Sequence, residues 1–241
     1  TKFKVLDGKQ YMTLAKEAYQ NRYADTDPNM LYFPFQDSPN NNYSETNTDW
    51  YDEFYDIGSS QQVNVSMSGG SGKFNNYMSA SYFRNEGTVK GNRQERFSVR
   101  AKIDVELSKR LNLSLNTSLS YNINSIFSPG RDYFMFLPII SPRNDDGTYR
   151  LSYNYIENYN GTPRLRSTRF FNSLAERDEN DNDQYTLSNR TSALLKYDII
   201  KGLALTGQFG IDYLSSREET YSAMSNWSCR NTLDSDKEVG Y

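Results

Sequence analysis

Long stretches of the chain alternate between apolar and polar residues with a period of two. Between Arg96 and Leu107 the odd positions are apolar and the even positions are polar or charged. Residues 111–124 repeat the pattern, because mostly leucines at the odd positions alternate with asparagines and serines at the even positions. Four further stretches follow it less regularly, namely residues 62–67, 74–84, 185–199 and 203–213. This periodicity predicts six β-strands that each have one apolar and one polar face.

The predicted strands are about twice as long as ordinary strands of roughly 5–6 residues. A strand of about 12 residues is roughly 40 Å long, and a tilt of roughly 40° leaves about 30 Å along the membrane normal. This length crosses an apolar band of about 25 Å. Aromatic residues near the strand ends fit the interfacial girdles of a barrel. They are Phe97, Tyr121, Tyr185, Tyr197 and Tyr213.

Alternation alone is equally typical of a large soluble β-sandwich or solenoid, but the connections favour a membrane barrel. The short connections are residues 69–73, 108–110 and 200–202, and the long ones are 85–95, 125–184 and everything before residue 61. Short and long connections alternate strictly, which places all short turns at one rim and all long loops at the other. We therefore predict an all-β fold that is part of a large transmembrane antiparallel β-barrel.

The predicted organisation has two parts. Residues 1–60 form a long extracellular loop with two short helices. Residues 61–241 form six barrel strands with short periplasmic turns and long extracellular loops.

The first helix is expected at about residues 8–21 behind an N-cap at Asp7. Its residues on one face are Tyr11, Leu14, Ala15 and Ala18. The second helix is expected to begin near Thr48 or Asp49, with Trp50, Phe54 and Ile57 on one side.

In a barrel, the polar faces of the strands line the lumen and the leucine faces meet lipid. The expected lumen-facing residues are Arg96, Arg100, Asn112, Asn116, Gln208 and Asp212.

Composition removes several classes of function. The chain of 241 residues has no His and one Cys, which excludes a Ser-His-Asp triad, a His-bearing metal site and a cysteine-based zinc cluster. Its 27 basic and 30 acidic residues give a net charge of −3, which is not the basic footprint of a nucleic-acid-binding protein. Aromatic residues make up 15 %, which argues against disorder. We expect neither an enzyme nor a nucleic-acid partner.

The long connection at 125–184 carries the candidate substrate-binding residues. Aromatic rings offer flat faces to sugar rings, and arginines can hydrogen-bond hydroxyls or carboxylates. The candidates are Tyr149, Tyr153, Tyr155, Tyr159, Arg164 and Arg166. Packing of this loop on itself is the alternative interpretation of each residue.

The pattern of potential ligand side chains predicts no metal or cofactor site. The acidic run at 178–183 partly matches a calcium loop, but Asp183 stands in place of the Gly and Asn189 in place of the bidentate Glu. We interpret this run as a solvated acidic loop, and weak Ca²⁺ binding stays open.

The stretches at residues 47–53 and 66–71 resemble the SusC/RagA-like TonB-dependent outer-membrane transporters of Bacteroidetes. The similarity continues through further stretches in the order expected for that family. These are 77–79, Tyr82, 86–87, 96–100, 142–149, 172–176 and 197–213, and the opening at 5–18 is similar to the family's first extracellular segment.

The resemblance implies a complete barrel of about 22 strands with a plug, of which this chain is the segment just after the plug. It implies a cell outer-membrane location, energy from TonB through an N-terminal part that this chain lacks, and a SusD-like surface lipoprotein as lid. The expected function is TonB-dependent import of oligosaccharides or peptides, without a cofactor. The alternatives are a soluble secreted all-β carbohydrate-binding module, and a passive porin or adhesin without energy coupling.

Overall fold

A computed structural model describes residues 4–25, 32–37, 41–129 and 135–224. The elements in chain order are α1 (Gly8–Arg22), α2 (Trp50–Phe54), β1 (Ser59–Ser71), β2 (Phe74–Glu86), β3 (Arg93–Ser108), β4 (Leu111–Ser125), β5 (Ser152–Tyr159), β6 (Thr162–Arg169), α3 (Ser173–Glu179), β7 (Asp181–Ile200) and β8 (Leu203–Tyr221). None of the helices in the described ranges has the length and hydropathy of a membrane span.

The chain divides into two compact units. The loop unit comprises residues 1–56, 128–180 and 221–241, and the sheet unit comprises residues 57–127 and 181–220. The long connection after β4 thus groups with the N-terminal segment, although it is distant in sequence. The assignment of 1–60 and 61–241 to separate parts, with an extracellular and a periplasmic side, stays a prediction.

The sheet unit is one six-stranded sheet in the order β1-β2-β3-β4-β7-β8. The four pairings from β1 to β7 are antiparallel, with one irregularity between Glu106 and Ser108. The six predicted strands are confirmed. They extend beyond their predicted ends, to between 13 and 20 residues, because cross-strand pairing continues through less regular sequence.

The connections within the sheet are short at one end. Two residues each join β1 to β2, β3 to β4 and β7 to β8, and Gly202 in the last turn has a φ of +88°, which favours glycine. The connection between β2 and β3 is residues 87–92, shorter than the predicted 85–95, since these strands pair as far as Glu86 and Arg93. It is still longer than the turns at the opposite end.

The hydrophobic core of the described residues lies in the loop unit. Its buried apolar side chains include Trp50, Phe54, Ile139, Phe170 and Leu174. Trp50 lies 4.7 Å from Phe136, centroid to centroid, and Phe136 lies 5.4 Å from Phe170. The segments predicted to be loops therefore build a packed unit of their own.

The first predicted helix is confirmed. The Asp7 carboxylate accepts a hydrogen bond from the Gln10 main-chain nitrogen at 2.8 Å, and the Gln10 side chain accepts one from the Asp7 main-chain nitrogen at 3.2 Å. The buried residues of α1 are Gly8 and Met12, whereas Leu14 and Ala18 on the predicted face are exposed.

The second helix begins at Trp50, next to the predicted start near Thr48 or Asp49, with Asp49 as its N-cap, and it buries Trp50 and Phe54. The prediction for Ile57 is wrong. The helix ends at Phe54 because Tyr55 is extended, and Ile57 is 93 % exposed.

Three elements inside the long connection escaped prediction. The strands β5 and β6 form a separate hairpin with a two-residue turn at Asn160 and Gly161, whose φ values are +50° and +79°. Helix α3 follows, with Asn172 as N-cap. Its end includes Asp178 and Glu179, and Asp181 begins β7, so the interpretation of 178–183 as a solvated loop is wrong.

Candidate functional site

Cross-strand register places the predicted lumen-facing residues on one face of the sheet. Opposed residues of antiparallel strands point to the same side. Arg96 and Arg100 lie opposite Asn122 and Ser118, on the side of β4 that also carries the predicted Asn112 and Asn116. That face is polar across both strands.

The same face continues onto β7 and β8. Asn116 lies opposite Ser192, and Ser118 lies opposite Arg190. The Arg190 Nε donates to Asp212 Oδ1 at 2.9 Å, which places Asp212 and therefore Gln208 on this side of β8. All six predicted residues share one face of the sheet, and their position toward a lumen stays a prediction.

Polar side chains on this face bond across the strands. The Arg100 Nε donates to Asn116 Oδ1 at 3.4 Å, and the Ser114 hydroxyl donates to Asp104 Oδ1 at 2.6 Å. The Arg96 guanidinium lies 5.1 Å from the centre of the Phe83 ring. This face suits contact with water and polar groups.

The opposite face of the sheet is apolar and exposed. It presents Val65, which is 68 % exposed, Phe209 at 65 % and Leu119 at 45 %. Monomeric soluble proteins rarely expose a continuous apolar surface of this extent.

Aromatic residues and charges bound the apolar face at its loop end. The rings of Tyr82 and Phe97 lie 4.9 Å apart, centroid to centroid. One residue pair further along these strands, Arg84 forms ion pairs with Glu86 at 2.6 Å and with Glu95 at 3.5 Å. The part of β3 between Phe97 and the turn is about ten residues, or about 33 Å, long. In a barrel with tilted strands this length corresponds to an apolar band roughly 25 Å high along the membrane normal.

The β5–β6 hairpin brings five of the six predicted substrate-binding residues onto one face. Tyr155 lies opposite Arg166, so these two side chains point to the same side. The period of two along each strand places the other three residues on that side as well. The shared face carries Tyr153, Tyr155, Tyr159, Arg164 and Arg166.

Several of these side chains contact one another within the hairpin. The Arg164 guanidinium lies 4.1 Å from the centre of the Tyr159 ring, and the Arg166 Nε lies 2.8 Å from Glu157 Oε2. These contacts agree with packing of the hairpin on itself, and a role in substrate binding stays a prediction.

Tyr149, the sixth predicted residue, lies apart from that face. Its hydroxyl donates to the Asp178 carboxylate and accepts from Arg143 Nη2 at 2.7 Å. Burial, together with the Asp178 charge, raises the pKa of Tyr149. The residue joins the 143–149 turn to helix α3.

Two cavities of the loop unit were not predicted. A mostly apolar one of about 640 Å³ is lined by residues that include Leu6, Tyr11, Trp50 and Phe136. A polar one of about 430 Å³ contains Tyr153 as its one predicted site residue. It is lined by Asn41, Asn144, Asp145, Asp146, Arg150, Ser152, Tyr153 and Asn154.

In the part of the chain that the structure describes, no three His, Cys, Asp or Glu side chains are grouped to hold a metal ion. Asp178 is instead held by Arg177, whose Nη2 donates to its Oδ2 at 2.9 Å. Weak Ca²⁺ binding stays a prediction.

The sequence is similar to two curated proteins of Formosa agariphila. TonB-dependent receptor P3 is 30 % identical over 176 residues, which are 68 % of this chain and 16 % of the receptor. TonB-dependent receptor P26 is 23 % identical over 225 residues, or 84 % of this chain and 22 % of the receptor. The chain is a relative of the SusC/RagA-like TonB-dependent receptors. It spans less than a quarter of the length of these two receptors.

The fold of this SusC/RagA-like chain is similar to parts of solved structures. The RagAB peptide transporter matches with a TM-score of 0.58 at 18 % identity, over 88 % of this chain and 24 % of that chain. The closed-closed state of the RagAB peptide importer matches with a TM-score of 0.57 at 17 % identity, over 89 % and 23 %. No family model matches the chain.

The fold prediction is confirmed for this SusC/RagA-like chain. Its antiparallel sheet has the fold of a sector of a TonB-dependent transporter barrel, and the sector is not closed. The relatives are named as receptors and importers rather than as enzymes.

Proposed function

We propose that this chain contributes six wall strands and a folded outer mouth to a transporter of the bacterial outer membrane. The complete protein imports an oligosaccharide or a peptide by TonB-dependent active transport. The solute moves without covalent chemistry, along a polar lumen that opens when a plug is displaced.

The exposed apolar face opposite the polar face carries this proposal. Burying apolar surface is favourable by about 25 cal/mol per Å², so a face of this kind needs a nonaqueous partner. Acyl chains supply one along the whole sheet, while the opposite face keeps Arg96, Arg100 and Asp212 in contact with water. A soluble carbohydrate-binding module would instead pack its leucines together, whereas Leu119, Leu195 and Leu205 are exposed.

The proposed partners are TonB, a SusD-like lipoprotein over the outer mouth, and outer-membrane lipid. The names of the two relatives support coupling to TonB. The loop unit has its own core, so it offers a folded rather than a flexible surface to a lid.

Uptake by the complete transporter tests the proposal. Cells that carry the gene should accumulate a labelled oligosaccharide or peptide, and deletion of either the gene or the TonB gene should abolish this uptake. The protein should be extracted from the outer membrane only with detergent.

Two results would contradict it. Uptake that persists without TonB indicates a passive porin. A protein recovered from the culture medium without detergent indicates a secreted module.

A further inference from the structure

The β5–β6 hairpin of the loop unit has one covered edge and one open edge. On the outer side of β5, the Ile156 nitrogen donates to the Pro34 carbonyl at 2.8 Å, and the Asn154 carbonyl accepts from the Tyr43 hydroxyl. Strand β6 has β5 as its one neighbouring strand among the described residues. No hydrogen bond from a described segment outside the hairpin reaches residues 163–168, and β6 is exposed along most of its length.

The open edge presents main-chain groups that a further strand could bond. The two-residue turn at 160–161 makes the pair beside it the first hydrogen-bonded pair, and non-hydrogen-bonded pairs then alternate with hydrogen-bonded ones. Leu165 and Ser167 belong to the non-hydrogen-bonded pairs. Their partners Ile156 and Asn154 use their main-chain groups on the outer side of β5, as this alternation requires. Leu165 and Ser167 therefore each direct an N–H and a carbonyl away from β5.

The two edges differ in composition. Strand β6 carries Pro163 and three arginines without an acidic residue, whereas β5 has neither Lys nor Arg. Proline and charged side chains on an edge strand prevent uncontrolled pairing with other chains in water. The covered β5 edge lacks this protection and does not need it. The contrast indicates that the β6 edge stays exposed until a separate protein binds, rather than being covered permanently by the receptor's own chain.

The side chains of β6 specify the charge of that protein. Arg164 and Arg166 lie on one face, where the Arg164 guanidinium is 4.1 Å from the centre of the Tyr159 ring. The Arg166 side chain stays 50 % exposed beside Glu157. Leu165, on the opposite face, is 60 % exposed. A strand beside β6 with alternating acidic and apolar residues matches this order, whereas a second copy of β6 would bring arginines together.

We propose that β6 binds, by strand addition, an extended acidic segment of the surface lipoprotein named above as a partner. Two carboxylates of the added strand pair with Arg164 and Arg166, and an apolar residue between them packs on Leu165. Its main chain bonds to Leu165 and Ser167. The inference deepens the proposed function, on which it rests, by naming the contact surface. Of the partners proposed there, only the lipoprotein is a protein at the outer mouth.

Hydrogen exchange of the complete receptor, purified in detergent with and without the lipoprotein, tests this docking. In the receptor alone, the amides of Leu165 and Ser167 should exchange as exposed groups. In the complex they should exchange at least about tenfold more slowly, because each is bonded to the added strand. The amides of Arg164 and Arg166 are bonded within the hairpin and serve as an internal reference.

Ser167→Pro is the most specific variant. It removes an outward N–H that β5 does not use, so it blocks strand addition while the hairpin stays paired. Ser167→Ala is the matched control, because it removes only an exposed hydroxyl. The Kd for the lipoprotein should rise at least about tenfold in Ser167→Pro and should stay within about twofold in Ser167→Ala.

A second pair of variants tests the charges without changing the main chain. The Kd should rise about tenfold in the double variant Arg164→Gln, Arg166→Gln, and the wild-type Kd should rise with salt concentration. Lys9→Gln removes an exposed cation from α1 instead, and its Kd should stay within about twofold of the wild type.

The proposal is overturned if Leu165 and Ser167 are already protected in the receptor alone, because the receptor's own chain then covers the edge. It is also overturned if the lipoprotein leaves both amides unprotected, if only a peptide substrate protects them, or if the β6 variants bind like the controls. Docking by a receptor that imports nothing would contradict the proposed function and leave this surface standing. TonB-dependent uptake with an unprotected β6 edge would overturn the docking alone.

Discussion

Single aromatic residues hold the loop unit together. Trp50 is 4 % exposed, lies among Phe54, Phe136 and Phe170, and its Nε1 donates to the Leu137 carbonyl at 3.0 Å. One side chain therefore joins α2 to the segment at 136–138 and to the residue that follows β6.

Truncation of this side chain should unfold the loop unit selectively. We expect Trp50→Ala to cost about 3–5 kcal/mol, because it removes a buried ring and leaves a cavity. The matched variant Ile57→Ala removes an exposed side chain and should cost less than about 0.5 kcal/mol. Limited proteolysis of the complete receptor on intact cells measures both, and equal sensitivity of the two variants would contradict this account of the core.

The carboxylate of Asp178 makes the loop unit sensitive to acid. Burial opposes its ionisation, but hydrogen bonds from Arg177 and Tyr149, with the charges of Arg177 and Arg143, together hold its pKa below the ordinary 3.8. A lowered folded pKa means that the ionised group stabilises the fold above about pH 4, and that this stability is lost as the pH falls through the folded value.

Hydrogen exchange of the 143–149 turn and α3 in the complete receptor measures this effect. Protection should be constant from about pH 7 to pH 5, after correction for intrinsic exchange, and should fall toward about pH 3. Asp178→Asn should be less protected at neutral pH and lose most of this acid dependence. An unchanged acid dependence in the variant would show that another group is responsible.

At the scale of elements, the strands are longer than the band of apolar residues that they carry. Strand β8 alternates apolar and polar residues from Leu203 to Tyr213 and then carries Arg217 and Glu219 on the formerly apolar side, where they pair at 2.9 Å. In β7 the aromatic Tyr185 stands at the same level, 5.3 Å from the Arg217 guanidinium. The proposed lipid boundary therefore passes through the middle of β8.

An arginine scan of β4 and β3 tests this boundary. Leu115→Arg, near the middle of the band, should cost about 2–4 kcal/mol, because the charge meets the centre of the bilayer. Leu107→Arg, at the turn end, should cost at most about 1 kcal/mol.

The neighbouring variant Asn116→Arg places the same charge on the polar face and should cost much less than Leu115→Arg. The measurement is the unfolding free energy of the complete receptor in lipid vesicles. Equal costs at Leu115 and Asn116 would refute the orientation of the sheet.

At the scale of the whole molecule, the sheet has two open edges. Strands β1 and β8 each have one hydrogen-bonded neighbour in the described sheet. Unpaired strand edges are not tolerated within lipid, and in water they promote aggregation. Closure therefore requires further strands beside both edges.

Expression of residues 1–241 alone tests this requirement. We expect aggregation in aqueous buffer, because the open strand edges can hydrogen-bond to other copies and the exposed apolar faces can associate. Size-exclusion chromatography without detergent should yield no monomer. A monodisperse monomer with a cooperative unfolding transition would contradict the barrel assignment.

Much of the sheet could be predicted from sequence because its determinants are local. A sheet with one apolar and one polar face imposes a period of two, so residues 96–107 and 111–124 reveal strands without knowledge of their partners. Local sequence also predicted the N-cap Asp7 and a second helix start near Thr48 or Asp49, because the caps Asp7 and Asp49 bond within their own first turns.

The β5–β6 hairpin has a sequence signal of its own, in its turn and in its first strand. Asn160–Gly161 suits a two-residue turn with two positive φ values, and Tyr153, Tyr155 and Tyr159 alternate before it. The proline and arginines of residues 163–169 obscured the second strand.

The sequence by itself determined the two-faced strands and the starts of α1 and α2, because each depends on residues a few positions apart. Only the tertiary structure decided that the loops form a packed unit, that Arg150 bonds to Asn41 and that Tyr43 bonds to the Asn154 carbonyl. The two partners of each bond are more than 100 positions apart, and the burial of distant aromatic side chains in one core brings them together.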